Sequence, residues 1–409
     1  MEKCRACGAK LGEPFISLGN SPLSNSYLNA EQMARQEATY PLDMFLCPSC
    51  FLVQIDVFEK AETIFNSDYA YFSSYSDSWL SHCRRYVEMM VKRFNIQPSW
   101  FVVEIASNDG YLLQYFKERD IPCLGIEPAA TTAKVAQEKG IRTIPAYFSA
   151  ECASVLRKQS ETADLIIGNN VLAHNPDIND FVTGLSLLLK PDGIITMEFP
   201  HLLQMIVNAE FDTVYHEHFS YLSLYSVQKL FKRHGLIIFD VQEISTHGGS
   251  LRIFVRHNAN DTHAITANIQ RILDKEMNAG LFAPAIYKNF SERVIKIKHE
   301  LLAFLIEAKK RGKSVAAYGA PAKGNTLLNY CEIKADLIEY TVDRNPYKQG
   351  KYLPGSRIPI SSPEKVAQTK PDYLLILPWN IKQEIMTQMI HIRQWGGTFV
   401  TAIPELTMY

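Results

Sequence analysis

WFVVEIASNDGYLLQYFKER, Trp100–Arg119, joins a run of apolar and β-branched residues to a glycine-bearing turn and then to a segment with helical spacing of Leu, Tyr and Phe. The first part reads as a buried strand and the rest as a turn and an amphipathic helix. The chain then repeats the alternation. CLGIEPA is a second strand ending at Glu127 and TIPAYF a short third. DLIIGNNVLAH is a fourth, running into Asn169, Asn170 and His174, and GIITMEFPH is a fifth, after the turn KPDG. Strands alternating with helices imply a doubly wound, mostly parallel α/β sheet whose ligands sit at the carboxyl ends of the strands.

Composition bounds what surrounds this unit. The 409 residues suffice for two or three domains; 47% are apolar and the formal net charge is −1. Near-neutrality leaves no electrostatic case for nucleic acid or an anionic membrane. The apolar runs are short and broken by charges, against a spanning helix, and MEKCRACGAK has no apolar signal core. The expectation is a soluble, cytoplasmic protein, acting as a monomer, with reduced cysteines.

Four of the eight cysteines are paired: Cys4 and Cys7 in CRACG, Cys47 and Cys50 in CPSC. Two such knuckles let four thiolates meet tetrahedrally around zinc and close a domain too small for a large core. Four sulfurs leave no open position, so the zinc is structural and remote from the chemistry. PFISLGNSPLSNSYL supplies loop between the knuckles. Cys83, Cys123, Cys152 and Cys331 stand alone, as packing residues. YFSSYSDSW, Tyr71–Trp79, reads either as packing next to this module or as a lid of donors over a ligand.

The first turn narrows the ligand. A nicotinamide-binding unit would carry G-x-G-x-x-G there. This chain has Glu104-Ile105-Ala106-Ser107-Asn108-Asp109-Gly110. That resembles the acidic-first D/E-x-G-x-G-x-G turn of S-adenosylmethionine (SAM) methyltransferases, with Ala106 and Asn108 replacing two glycines. The resemblance implies that Glu104 faces the methionine ammonium and that backbone from Ala106 to Gly110 approaches the cofactor. Glu127, followed by Pro128, would accept from both ribose hydroxyls, and Asn169 and Asn170 would lie beside the adenine and the methyl donor. A Rossmann-type unit for another nucleotide is the alternative on pattern alone.

A second α/β unit lies in KRGKSVAAYGAPAKGNTLLNY: helix end, strand Ser314 to Tyr318, loop and helix. Gly324 is followed by Asn325-Thr326 rather than Lys-Ser/Thr, which excludes a P-loop. Gly319, Lys323 and Gly324 at a helix N-terminus still make an anion site. The next strand, LIEYTVD, ends in Asp343, placed to meet a ribose, and Arg344, Lys348, Lys351 and Arg357 follow among turn residues. Their place at a strand's carboxyl end favours a diphosphate. ITANIQRILDKEM and YKNFSERVIKIKHELLAFLIEAKKRG, between the two units, have helical spacing.

One further stretch, DTVYHEHFSYLS, Asp212–Ser223, packs His216, Glu217 and His218 together. Were this a strand, the two histidines would share one face, but no third ligand of suitable spacing follows, so a metal is not expected. His216 is expected to be packed; His201 and His247 are candidates to line a pocket.

CRACG…CPSC, YFSSYS, EIASNDGYLL, GIEPA, NNVLAH, FDTVYHEHFSYLS, GGSLR, GAPAKGNTLLNY and DRNPYKQGKYLPG, in this order over nearly the whole chain, resemble the sugar 3-C-methyltransferases of deoxysugar biosynthesis. The resemblance implies a zinc-binding domain over 1–70, a SAM-binding methyltransferase domain over 71–258, and helices with a Rossmann-like nucleotide-sugar domain over 259–409. It implies methyl transfer from SAM to C3 of a nucleotide-linked 4-keto-6-deoxy sugar, dTDP favoured over GDP. His218 would be the base that removes the C3 proton, Glu217 would orient the site, Tyr215 would hydrogen-bond the sugar, and His174 would donate to the C4 oxygen. Tyr71, Tyr75, Lys323, Asn325, Asp343, Arg344 and Lys348 would hold the substrate. The alternatives are a sugar O-methyltransferase and a non-catalytic nucleotide-sugar-binding protein.

Overall fold

The computed structural model describes residues 1–59 and 72–409. Near the N-terminus lie β1 (Ile16–Ser21), β2 (Tyr40–Leu46) and β3 (Val53–Ile55). The middle of the chain carries β4 (Val102–Ile105), β5 (Cys123–Ile126), β6 (Thr143–Ile144), β7 (Ala163–Asn169), β8 (Leu189–Pro200), β9 (Ser220–Tyr221), β10 (Leu236–Ile244) and β11 (Ser250–His257). The last part carries β12 (Val315–Tyr318), β13 (Thr341–Val342), β14 (Ile360–Ser361), β15 (Tyr373–Ile376), β16 (Thr398–Thr401) and β17 (Thr407–Met408).

These strands form an α/β architecture of three sheets. The middle sheet runs β10-β11-β8-β7-β4-β5-β6. It is parallel from β8 to β6, and β11 is antiparallel to both neighbours. Its central strands are buried on both faces, as a sheet covered by helices requires. The C-terminal sheet runs β14-β13-β12-β15-β16-β17, parallel except for β17. Strand order reverses between β4 and β7 in the first sheet and between β12 and β15 in the second, and such switch points open a crevice at the carboxyl ends.

Local chemistry explains the elements around these sheets. Helix Asp77–Phe94 is N-capped by Ser76, buries Cys83, Tyr86, Val87 and Met90 at helical spacing, and ends in left-handed Asn95. Helix Leu224–Arg233 opens with a capping box from Ser223 and Ser226. Helix Pro284–Lys310 starts on proline and buries Tyr287, Phe290, Val294, Ile297, Leu301 and Leu305 along one stripe.

Two local expectations are corrected, and HEH takes a definite conformation. The helix after β4 shrinks to Gln114–Lys117, because Tyr111, Leu112 and Leu113 are all buried in succession and no single helix face can bury three consecutive residues. KPDG is not a separate turn: β8 already includes it, with a shift in its ladder to β7. HEH is not a strand; Tyr215 to Glu217 form a bend and turn, and pairing starts only at β9.

The N-terminal sheet, β1-β2-β3-β9, is antiparallel and takes its last strand from the segment that follows HEH. One apolar core joins all three parts: Ile16, Met44 and Val53; Leu202, Met205, Phe211 and Val214; and Tyr287, Leu301, Val315 and Leu327. The segment from Leu202 to Val214 is therefore fixed by packing from every side.

Candidate functional site: two switch points around one histidine

The crevice between β4 and β7 is lined by polar groups buried without compensation. Glu104 is fully buried, and neither of its carboxylate oxygens meets a donor in good hydrogen-bond geometry. Burial pushes its carboxyl well above the usual range, with the Tyr111 hydroxyl opposing. Across the crevice, both side-chain atoms of Asn169 and the Oδ1 of Asn170 are also buried without partners. Buried polar groups normally find partners, and such a cluster at a switch point is what a polar ligand satisfies.

The turn between them has an unusual backbone. Ala106, Asn108 and Gly110 all have positive φ, at 57°, 48° and 77°. This is why the comparable turn favours glycine: only glycine enters the left-handed region without steric cost. Glu127 clasps this turn, accepting from the Asn108 amide and the Ala129 amide at 2.9 Å each. Burial pushes its carboxyl up and those two amides oppose the shift. Pro128 lies between the clasping residues. Asn108 accepts in turn from the Ser73 amide at 3.0 Å, so the segment after residue 71 lies against the turn. Tyr75 is 63% exposed and stacks edge-on with Phe72, while Tyr71 lies outside the described residues. Glu104, the left-handed turn, Glu127 and the asparagines thus fit an adenosyl cofactor: a carboxylate for the ammonium, close backbone approach and acceptors for ribose.

Beside Asn169, on the neighbouring strand, lies an ionic network. Glu198 on β8 bonds His82 at 2.9 Å and Arg252 at 2.7 Å. Burial alone would raise its pKa, but these partners hold it below the usual range. Trp79 stacks on His82 and leans on His247, which meets Asn170 at 3.1 Å.

HEH lies beside the segment that follows β7, through the contact of His218 with His174. His218 Nδ1 donates to the Thr213 carbonyl at 2.9 Å, and the Tyr215 hydroxyl lies 2.8 Å from Nε2. The carbonyl can only accept, so it fixes the proton on Nδ1 and leaves Nε2 a lone pair. Burial, reinforced by His174, holds the His218 pKa well below the ordinary value. The His174 ring lies 4.6 Å from the His218 ring, and burial pushes its pKa down to about 4 while its N–H is drawn to the Glu217 carbonyl. Glu217 accepts from Asn25 of the N-terminal module at 2.6 Å. His216 turns away: it meets the Pro41 carbonyl at 3.1 Å and packs against Tyr40. His201 is also elsewhere, buried against Glu276 at 2.8 Å.

The C-terminal switch point faces the same segment. Trp379, after β15, donates its indole N–H to Asp212 at 2.8 Å, and Lys323 lies over the Trp379 ring. Burial lowers the Lys323 pKa, with Asp212 and Glu210 opposing. Burial raises Asp212 to about 6 and Glu210 to about 7. Gly248 (φ +94°) permits this contact; a Cβ there would lie 2.6 Å from Glu210 and 2.8 Å from Trp379.

The other expected substrate contacts are dispersed. Asn325 is buried and donates to the Ser24 carbonyl at 2.6 Å, tying domains together rather than facing the crevice. Asp343 spends both oxygens on the Ala320 and Asn345 amides, which shapes the loop. Lys348 turns inward to the Ala320 carbonyl at 2.8 Å. Arg344 points to a separate surface groove with Tyr318, Lys370, His391 and Trp395. Asn25, Glu210, Asp212 and Trp379 were missed by sequence reading. Asp212 lies within DTVYHEHFSYLS and Asn25 within the loop PFISLGNSPLSNSYL, but nothing in the local sequence marks Glu210 or Trp379.

Cys4, Cys7, Cys47 and Cys50 bring their sulfurs within 4.8 Å of one another, with Cys4 and Cys50 3.6 Å apart and Cys7 and Cys47 3.4 Å apart. Tetrahedral zinc–thiolate bonds would set sulfurs about 3.8 Å apart, so the set fits zinc. Among the described residues this is the one cluster of metal-ligand type, and HEH is not in it. None of the described helices is long and apolar enough to cross a membrane.

Comparison with known proteins matches three successive stretches of the chain to known domains. Residues 4–65 match a zinc binding domain, residues 80–240 a methyltransferase domain, and residues 245–404 a C-methyltransferase C-terminal domain. The chain is 36% identical to the C-methyltransferase NovU of Streptomyces niveus over 405 residues, 99% of this chain and 96% of that protein. Among solved structures, magnesium protoporphyrin IX methyltransferase of Synechocystis PCC 6803 shares 13% identity, covering 49% of this chain and 99% of that one, with a TM-score of 0.38. A Burkholderia thailandensis N1-methyltransferase shares 15%, covering 50% and 94%, with a TM-score of 0.36. Scores this low carry no weight for fold or function. With the cofactor crevice, the four-cysteine cluster and a relative matched end to end, the chain belongs to the SAM-dependent C-methyltransferases with an N-terminal zinc-binding domain.

Proposed function

We propose that the protein methylates C3 of a nucleotide-linked 4-keto-6-deoxy sugar, dTDP favoured. The observation that carries this reading is the state of His218: a neutral imidazole with Nδ1–H held by a carbonyl and Nε2 presented as an acceptor. Carbon becomes a nucleophile only after losing a proton, and a C4 ketone makes the neighbouring C3–H acidic. A positioned neutral histidine is the base this step needs. SAM, when bound, supplies the electrophilic methyl group.

The chain's own residues do the rest. His218 Nε2 takes the C3 proton. The Tyr215 hydroxyl, which caps Nε2 without substrate, turns to the sugar and donates to the C4 oxygen as charge develops there. His174 suits that role less well than its sequence position implies: its N–H goes to the Glu217 carbonyl, so in the neutral ring the other nitrogen can only accept. Lys323, whose ammonium donates to Asn380 at 3.0 Å and feels the charge of Asp212 and Glu210, would pair with an anionic diphosphate that follows the sugar. Glu104, Glu127, Asn169 and Asn170 hold the donor, and alignment of donor and C3 supplies the remaining rate.

An O-methyltransferase would use the same cofactor crevice without a keto group. Incubation with SAM carrying a ¹³C methyl and dTDP-4-keto-6-deoxyglucose separates the two by NMR. A new methyl on a quaternary C3 is expected; a methoxy carbon would overturn C-methylation of this sugar.

A further inference from the structure

The loop of the N-terminal module that follows β1 reaches the reacting segment. Asn25 donates to Glu217 at 2.6 Å, and Glu217 is 3% exposed. Next to it, the Ser24 carbonyl accepts from Asn325 at 2.6 Å, and the Tyr27 hydroxyl donates to the Ala320 carbonyl at 2.6 Å. Lys348 lies over the Tyr27 ring. Ser24, Asn25 and Tyr27 thus join the residue beside His218 to the glycine-bearing loop of the C-terminal domain. The backbone of Glu217 also takes the His174 N–H, so whatever fixes Glu217 fixes the histidine pair. The zinc cluster belongs to the same module, and Arg5, between Cys4 and Cys7, lies over the ring of Phe219, the residue after His218.

We propose that Asn25 is a positioning residue for the methyl-transfer site and that the zinc-binding module supplies part of that site. A donor to a carboxylate in a buried setting is among the stronger hydrogen bonds, and its geometry sets where Glu217, and through it His174 and His218, stand. The inference rests on the reading that the HEH segment performs the deprotonation.

The test compares wild type, Asn25→Asp, Asn25→Ser and Ser26→Ala as full chains, with SAM and dTDP-4-keto-6-deoxyglucose. Asp matches Asn in shape but cannot donate from the same atom at neutral pH; Ser is too short to reach. Ser26 is exposed and serves as the control. Both Asn25 variants are expected to lose about 10- to 100-fold in kcat. The KM for SAM and the zinc content should stay at wild-type values, as should every property of Ser26→Ala, while the lost bond to a buried carboxylate lowers the thermal midpoint of the Asn25 variants by a few degrees. A purely structural role would instead lower the zinc content or the affinity for SAM together with activity, and would overturn the proposal. So would a kcat within twofold of wild type in either Asn25 variant. If Asn25→Asp does not fold, Asn25→Ser decides alone. Failure of the wild type to methylate this sugar would strike the underlying reading instead. In that case, equal loss of SAM-dependent C3–H exchange in the Asn25 variants supports the positioning role, and unchanged exchange overturns it.

Discussion

At the scale of the residue, His218 and Glu127 each owe their state to backbone groups. The Thr213 carbonyl decides the His218 tautomer and burial decides its charge. Its pKa lies below the ordinary histidine value of about 6.5, so the base is already neutral at pH 7. The sign follows: kcat/KM should rise with pH only along a limb lying below about 6.5, and stay level above it up to about pH 8. A limb centred above 7 in the pH–rate profile would contradict this. Glu127 holds the Asn108 and Ala129 amides, one on each carboxylate oxygen, and each oxygen can accept a second hydrogen bond. Glu127→Ala should therefore weaken SAM binding by about 1.5–3 kcal/mol for each charge-assisted bond lost, and sugar-nucleotide binding far less. Calorimetry with each ligand checks it.

At the scale of the element, the turn after β4 is where sequence and backbone disagree most usefully. Ala106 occupies a left-handed position that costs a non-glycine residue about 1–2 kcal/mol, offset in part by the greater freedom glycine loses on folding. Ala106→Gly is expected to raise stability by up to about 1 kcal/mol. Asn108→Gly is expected to lower it by about 1 kcal/mol, because Asn108 tolerates this conformation and also binds the Ser73 amide. Opposite shifts in thermal midpoint would confirm the assignment; equal shifts would refute it. The same turn shows what was legible in the sequence. Glu104, Glu127, Asn169 and His218 lie at strand ends or in dense motifs, and strand ends are located by local pattern. Asn25, Glu210 and Trp379 are functional neighbours only because three domains pack there, and no local pattern encodes that meeting. Arg344 and Lys348 show the converse, for adjacent cations in a loop diverge once the backbone turns. The helix expected after the turn failed for a related reason: burial of successive residues overrode the helical period.

At the scale of the molecule, the middle and C-terminal switch points meet across the segment from Glu210 to His218, and the N-terminal module closes it from a third side. The meeting buries acids. Glu210 is raised from the usual carboxyl value to about 7 by burial. The folded chain therefore holds a proton there that the unfolded chain has already shed. The stability this contributes is complete below about 4.5 and is lost as pH rises through about 7. Glu210→Gln carries no such proton. Relative to wild type it should gain about 1–3 kcal/mol between pH 5 and pH 8, measured by denaturant unfolding of the ligand-free protein at both values. A pH-independent difference would show that Glu210 is not held protonated at the interface. The central claim, however, is that His218 removes a proton from carbon. The most direct measurement is deuterium entry at C3 of the 4-keto sugar nucleotide recovered from incubation with SAM in deuterated water, for wild type and for His218→Asn. Wild type should wash deuterium into C3. His218→Asn should lose that exchange together with methylation, by about 10²–10⁴-fold, while still binding both ligands. Exchange at the wild-type rate in His218→Asn would place the base elsewhere and contradict the account.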